Sequence, residues 1–457
     1  MRLYETEFEL SSNSSKKSLI GYLREEVEGR LESGTLPIRF VITETGQGSY
    51  HCELALLATE DGKSFPDFPK LFEFRQRPVE NNDQFNVVLL VPTGIGARIG
   101  GDAGDATPVA RLLATISDNL ITHPNVVNAS DINELPDNGL YVEGSVLTRL
   151  IMGTVGLQKV RSNRVLLVLD EHDDDYFTDA AINSASAARN TLGLECNVVK
   201  MRPRVIMETG YSSAGRSTGQ VKALGNLIQL LEQHRRRFDA IAISSVIQVP
   251  GNLQMQYFAE EMTNPWGGVE AMLTHAISSL FEVPSAHSPM MENREVLDWE
   301  LGVVDPRKAA EAISFTFLHC ILKGLHRSPK IVTDRSAMTH QGVISAEDIS
   351  CIVLPDGCLG LPTLAALEQG IKVIAVRENR NLMRNDLTLL PWATGQFHSV
   401  ENYWEAAGVL MALKAGVSPD TVRRPVCEAE TAKKIANSDD ASHQLADISV
   451  KYAKSIT

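Results

Sequence analysis

From Asn86 onward, short apolar runs alternate with segments whose apolar positions recur every three or four residues. The runs at 86–92, 118–122, 164–170, 196–200, 239–245, 330–333, 350–355 and 372–377 predict strands. Val87 to Val91 are apolar without alternation, which suits a strand covered on both faces. Between the runs, helical periodicity predicts helices near 107–117, 178–192, 218–236, 268–282, 306–325 and 361–369. Repeated β-α-β alternation predicts an α/β fold: Rossmann-like parallel sheet with helices on both faces, because parallel strands need crossover connections.

Before Asn86 the pattern changes. Residues 14–33 predict an amphipathic helix, and the runs L-P-I-R-F-V-I-T-E and Y-H-C-E-L-A-L-L-A-T, joined by T-G-Q-G-S, predict a β-hairpin. The expected division is an α+β element at 1–80, a glycine-loop lobe at 81–247, a second α/β lobe at 248–416 and a tail at 417–457. The irregular stretch 248–300 marks a crossover or lid. Glu208 to Gly219, rich in Gly, Ser and Thr, reads as a loop over the site or a linker.

Length and composition refine this only in part. At 457 residues, more than one domain is expected. The net charge of −14 argues against non-specific nucleic-acid binding, which needs cations to displace counterions. No run approaches the roughly 20 apolar residues of a membrane span, and the start M-R-L-Y-E-T-E-F lacks the basic and apolar regions of a secretion signal. The six cysteines contain no C-x-x-C pair, which reads as a reducing, cytoplasmic compartment and offers no zinc motif.

Candidate chemistry gathers where strands end, since open α/β sheets bind ligands outside the carboxyl ends of their strands. Strand 86–92 runs into P-T-G-I-G-A-R-I-G-G-D-A-G-D-A-T-P, where Thr93, Gly94, Gly96, Gly100 and Gly101 offer backbone N–H groups to an anion. Thr107-Pro108 reads as N-cap and first helical residue. The spacing is neither the dinucleotide fingerprint nor a P-loop. Arg98 fits a phosphate or carboxylate, or is a plain surface arginine. Asp102 and Asp105 fit ligand hydroxyls, a metal or base chemistry; Asp105 equally fits a helix cap.

A second cluster follows strand 118–122. His123 suits proton transfer near neutral pH, with Asn125, Asn128 and Asp131 as partners and Glu143 of Y-V-E-G-S nearby. The competing reading is a loop of Asx turns around a packed histidine. Ser244 ends strand 239–245. The third cluster, P-D-G-C-L-G-L-P-T, brings Asp356, Gly357, Cys358 and Thr363, and the next strand ends at Arg377-Glu378. Cys358 reads as a nucleophile or, more simply, a buried thiol. The acidic run D-E-H-D-D-D at 170–175 fits a solvated helix start better than a metal site, because negative charge favours helix N-termini. His275 and His287, with Glu292, match no metal-ligand spacing.

The 28 residues from Ile352 resemble the donor-binding half of two-lobed glycosyltransferases and loops of nucleoside deoxyribosyltransferases, which implies phosphate or carboxylate at the helix start near Gly357 to Thr363. More specifically, V-P-T-G-I-G-A-R-I-G-G-D-A-G-D-A-T-P-V-A-R-L-L, L-I-T-H-P-N-V-V-N-A-S-D-I-N-E-L-P, L-Y-V-E-G-S and P-D-G-C-L-G-L-P-T-L-A-A-L-E-Q-G-I together resemble one family of unknown function found mainly in photosynthetic lineages. That resemblance spans roughly residues 70–400 and implies no activity.

The expectation is therefore an enzyme acting on a small polar or anionic metabolite, by group transfer, hydrolysis or isomerisation. His123, Asp105 and Asp131 would handle protons, and the segments 93–105, 123–131 and 356–363 would meet at one mouth. The alternative is a non-catalytic metabolite sensor or assembly protein. Expected partners are a small-molecule ligand but neither nucleic acid nor membrane. Cofactor, metal and subunit number stay open, with a homo-oligomer among the options.

Overall fold

The computed structural model describes residues 1–12, 18–59, 69–295, 299–314 and 316–426. Part of the predicted 14–33 helix, Cys427 and most of the predicted tail lie outside these residues. The fold is α/β, and its strands form two principal sheets.

The six-stranded sheet is wholly parallel. Its spatial order is Phe397–Val400, Lys372–Val376, Ile349–Pro355, Asn86–Leu89, Asn119–Thr122 and Gly139–Tyr141. Every residue of Asn86–Leu89, Asn119–Thr122 and Ile349–Pro355 is buried, as unbroken apolar runs require. The chain starts this sheet in the middle at Asn86, builds outward to Tyr141, and returns at Ile349 to build the other side. The topological switch therefore falls between Asn86–Leu89 and Ile349–Pro355.

The ten-stranded sheet is mixed. Parallel strands Arg164–Asp170, Glu195–Met201, Ala240–Gln248 and Ser285–Met290 form one part. The first strand, Arg2–Ser11, and the hairpin Thr35–Thr45/Ser49–Ala58 form another. The two parts are joined through Ile206–Tyr211 and Ser217–Lys222, an antiparallel pair. This pair replaces the loop expected at 208–219.

The boundary expected at residue 247 does not separate two sheets. Strands from 86–141 and 349–400 share one sheet, and strands from 2–58, 164–290 and 359–360 share the other. The N-terminal element is likewise welded to the body. Arg216, buried just before Ser217–Lys222, donates to Glu53 (Nε to Oε2, 2.5 Å) and to Glu5, and Arg39 reaches Glu5 at 3.1 Å.

Asp174 caps the helix Asp175–Leu192 by accepting from the Tyr176 N–H, so the acidic run does start a helix. No helix is long and apolar enough to cross a membrane, and no group of three or more metal-ligating side chains is found, both among the described residues.

Candidate functional site

Three neighbouring strands of the parallel sheet end on one side of a cavity whose empty volume, open mouth included, is about 1470 Å³. Asn86–Leu89 leads to Thr93 and Gly94, Asn119–Thr122 to His123, and Gly139–Tyr141 to Glu143. The opposite wall comes from the other sheet and its helix: Trp266, Glu270 and His275 from around Gly267–Phe281, and His287 and Met290 from Ser285–Met290. Glu311, Trp299 and Phe317 complete the lining. The segment 248–300, read from sequence as a crossover or lid, thus supplies much of this second wall.

Glu143 is the N-cap of the helix Gly144–Ile151. Its carboxylate accepts from Ser145 N–H (2.9 Å), the Ser145 hydroxyl, Thr274 Oγ1 (3.2 Å) and His275 Nδ1 (2.5 Å). Burial pushes the Glu143 pKa up, but the adjoining His275 and these hydrogen bonds outweigh it and hold the carboxyl below its ordinary value. Gly144 is required by the packing: a Cβ there would sit 2.9 Å from His275 Cε1. Among the described residues nothing hydrogen-bonds to His275 Nε2. An imidazole held at Nδ1 by a buried carboxylate keeps one tautomer, with Nε2 left to act on a ligand.

A second pair lies on the same lining. His287 Nδ1 is 2.9 Å from Glu270 Oε1, and its Nε2 is 2.8 Å from Ser245 Oγ. The order Ser–His–Glu matches a serine-hydrolase relay. Ser245 is fully buried, however, and outside the lining, and its hydroxyl also reaches Met207 Sδ at 3.1 Å. It orients His287, and of the two lining partners Glu270 has the accessible side chain, 25% exposed against none for His287.

Glu311 accepts from the Ala103 N–H (2.8 Å) and Asn264 Nδ2 (3.0 Å). Burial raises its pKa to about 7, partly offset by the Ala103 hydrogen bond. The lining therefore combines a carboxylate kept ionised with a carboxyl group held near neutrality, the divergence that separates base from acid roles.

The residues predicted from sequence divide clearly. Thr93, Gly94, Gly101, His123, Asn125, Asn128 and Glu143 line the cavity. His123 is buried, and burial lowers its pKa to about 4; its Nε2 accepts the Val91 N–H at 3.1 Å. The Val91 N–H contact and the lowered pKa favour the packed-histidine reading, although the ring also borders the cavity. Gly96, Arg98, Gly100, Asp102, Asp105, Asp131 and Ser244 stand outside the lining. Arg98 is half exposed and pairs with Glu261. Asp102 accepts from the Tyr257 hydroxyl at 3.0 Å. Asp105 ties the loop by accepting Gly100 N–H at 2.6 Å, and Ala106 is the N-cap in place of Thr107. Asp131 accepts from Ser314, Thr316 and the His319 N–H.

Several N–H groups of the glycine loop are taken up within the protein, Gly100 alone among the five residues expected to face an anion. Arg98 N–H donates to Arg380 O, Ile99 N–H to Asn379, Gly100 N–H to Asp105 and Ala103 N–H to Glu311. Gly94, at φ +81°, brings the loop against Ser217, where a Cβ would meet the carbonyl at 2.7 Å.

The third predicted cluster is elsewhere. Asp356, Gly357, Cys358, Thr363, Arg377 and Glu378 do not line the cavity. The crevice at the switch point is closed by the chain itself, because residues 379–382 hydrogen-bond to Ile95, Arg98 and Ile99. Thr363 donates to Cys358 O, Arg377 pairs with Glu401, and burial pushes the Cys358 thiol far up, so it is the inert buried thiol. His275, Glu270 and Glu311 are lining residues outside the predicted set; His275 and His287 enter the sequence reading only as residues that match no metal-ligand spacing.

An α/β protein with a histidine–carboxylate cavity between two sheets is the class that fold and site define. Within it, the chain belongs to the family described as protein of unknown function (DUF3326), whose model matches residues 86–423. The chain is also 34% identical over 337 residues to an uncharacterized lipoprotein of Synechococcus sp., covering 73% of this chain and 91% of that protein. No solved structure matches.

The relative's name overturns the cytoplasmic compartment expected from the sequence. The physical weakness lay in the cysteine argument. All five described cysteines are free and buried, and burial raises the thiols, Cys52 to about 12 and Cys196 to about 11. Such thiols are inert in any compartment, so their lack of disulfides says nothing about redox environment.

Proposed function

We propose that this protein is an enzyme that moves protons on a small, largely apolar metabolite bound between the two sheets. His275 Nε2 is the base, Glu143 orients the ring and stabilises the imidazolium that forms, and Glu311 returns a proton as the acid. Trp266, Trp299, Phe258 and Phe317 supply apolar wall that excludes water. The single observation that carries this reading is the 2.5 Å contact between His275 Nδ1 and the buried Glu143 carboxylate, in a histidine that lines the cavity and whose Nε2 no described residue engages.

The small-molecule enzyme expected from the sequence is kept, but its ligand changes. Among the described residues the lining has no Arg or Lys and carries Glu143, Glu270 and Glu311, so a neutral or cationic ligand is favoured over a phosphate. Proton transfer is common to isomerisation, hydrolysis and elimination, and is the step these residues support.

The test needs no prior substrate. A metabolite panel is screened by thermal shift, and each stabilising compound is incubated with the protein in D₂O and followed by NMR. The wild type is expected to exchange one ligand C–H for deuterium, while His275→Gln binds without exchanging. Equal exchange by both proteins sinks the proposal.

A further inference from the structure

A second, smaller cavity of about 500 Å³ lies behind His275, between the hairpin strand Thr35–Thr45, the helix Gly144–Ile151 and the first turn of the helix Leu361–Gln369. Its charge is opposite to that of the larger cavity. Arg39, Lys70 and Arg149 line it with Ser145, Thr148 and Ser279, and among the described residues no carboxylate does. Arg149 is buried to 12% side-chain exposure, and its Nε and Nη1 have no hydrogen-bond partner among the described residues. Its Nη2 lies 3.7 Å from Glu282, which is itself 41% exposed. The Nε of Arg39 is unpartnered too, although its Nη2 is held by Glu5. Gly360, the N-cap of Leu361–Gln369, has no side chain to cap that helix.

Buried guanidinium nitrogens without acceptors are costly, and here three of them belong to residues that line a cavity together with a lysine and Ser279. The Ser145 and Thr148 hydroxyls are already donated to Glu143 and Gly144 O, which leaves Ser279 as the hydroxyl donor. From this we propose that the smaller cavity is a binding site for a small oxyanion, a phosphate or the phosphate of a phosphoester, held by Arg149 and Lys70 with Ser279 as hydroxyl donor. A guanidinium presents paired N–H groups to two oxygens of such an anion, and the uncapped helix start adds favourable dipole. A carboxylate would need only one bidentate donor. Arg149, Lys70 and Ser279, from separate segments, fit a tetrahedral group better. His275 forms wall to both cavities, so an anion here would lie behind the proposed base.

The experiment titrates the full chain with inorganic phosphate at constant ionic strength, by calorimetry and thermal shift, with acetate as the planar-anion control. Saturable one-to-one phosphate binding with a raised unfolding temperature is expected, and acetate should bind at least tenfold more weakly. Arg149→Met should weaken phosphate at least tenfold, and Arg149→Lys less. Lys70 is exposed, so Lys70→Met tests the site without threatening the fold and should weaken binding severalfold. A parallel arm uses phosphatidic-acid vesicles: binding there but not to free phosphate, lost in both variants, assigns the site to a lipid headgroup. No saturable binding in either arm, or wild-type affinity in both Arg149→Met and Lys70→Met, overturns the inference. The deuterium-exchange assay reads a different cavity and different chemistry, so each proposal fails separately.

Discussion

His275 and Glu143 lie 132 residues apart in the chain, yet the imidazole Nδ1 and the carboxylate meet at 2.5 Å across the gap between two sheets. Neither side chain is positioned by its own element alone. Glu143 is fixed at a helix N-terminus by Ser145, and His275 is fixed by the helix Gly267–Phe281, which packs against the Glu143 helix. Glu143→Gln should leave the Ser145 contact available and remove the charge that holds the ring. Once an exchangeable ligand is known, the exchange rate is expected to fall about 10²- to 10⁴-fold, by analogy with loss of an orienting carboxylate. A variant within threefold of wild type would show that Glu143 is only a cap.

Gly144 offers a gentler probe of the same pair. An added methyl would lie 2.9 Å from His275 Cε1 and 3.5 Å from Nε2, so the ring must tilt or shift. Gly144 stands at the first helical position, where alanine itself is well tolerated. Gly144→Ala should therefore change unfolding free energy by only about 1 kcal/mol, as small overpacking does, while lowering the exchange rate at least tenfold. Unchanged exchange alongside unchanged stability would show that the ring's exact placement is immaterial.

How much of this was legible follows from what each signal encodes. Val87 to Val91 announced a buried parallel strand because burial on both faces leaves no polar position. E-G-S was readable as a site fragment, but His275 was not, since no local spacing records a partner 132 residues distant. The antiparallel pair at 206–222 was hidden because its buried polar groups are satisfied by Arg216, Glu5 and Glu53, so its strands carry Thr, Ser and Gly where apolar residues were sought. The strand-end rule placed residues after Asn86–Leu89 and Asn119–Thr122 on the cavity lining. It misplaced the cluster at Asp356 because it cannot foresee residues 379–382 filling the switch-point crevice.

Arg216 tests how firmly the N-terminal strands belong to the body. Glu5 is held at a pKa of about 2: burial raises it, but Arg39, Arg216 and the Thr218 hydroxyl lower it further. Removing one cation would leave buried carboxylates uncompensated, which typically costs about 3–5 kcal/mol. Arg216→Met is expected to lose stability on that scale in denaturant unfolding, or to fail to fold. A loss below about 1 kcal/mol would mean that Arg39 alone balances the cluster.

Glu311 carries a pH signature with a definite sign. Its carboxyl titrates near 4.5 when unfolded and at about 7 in the folded chain, because burial disfavours its charge. Between these values the folded state holds a proton that the unfolded state has released, so stability falls as pH rises through the window. At about 1.4 kcal/mol per pKa unit, the group withdraws on the order of 3 kcal/mol by pH 7. Glu311→Gln keeps an acceptor for the Ala103 N–H and cannot ionise, so its stability should fall less than the wild type's between pH 4.5 and 7. Asp105 and Asp170, also raised to about 7 by burial, add slope in both proteins; Glu311 contributes to the Asp105 rise, so the difference between the denaturant midpoints reads Glu311 together with that coupling. In the exchange assay the wild-type rate should decline above about pH 7 as the acid is lost. Parallel stability curves for the two proteins would show that Glu311 is already ionised in the native cavity, and the acid role would pass to another group.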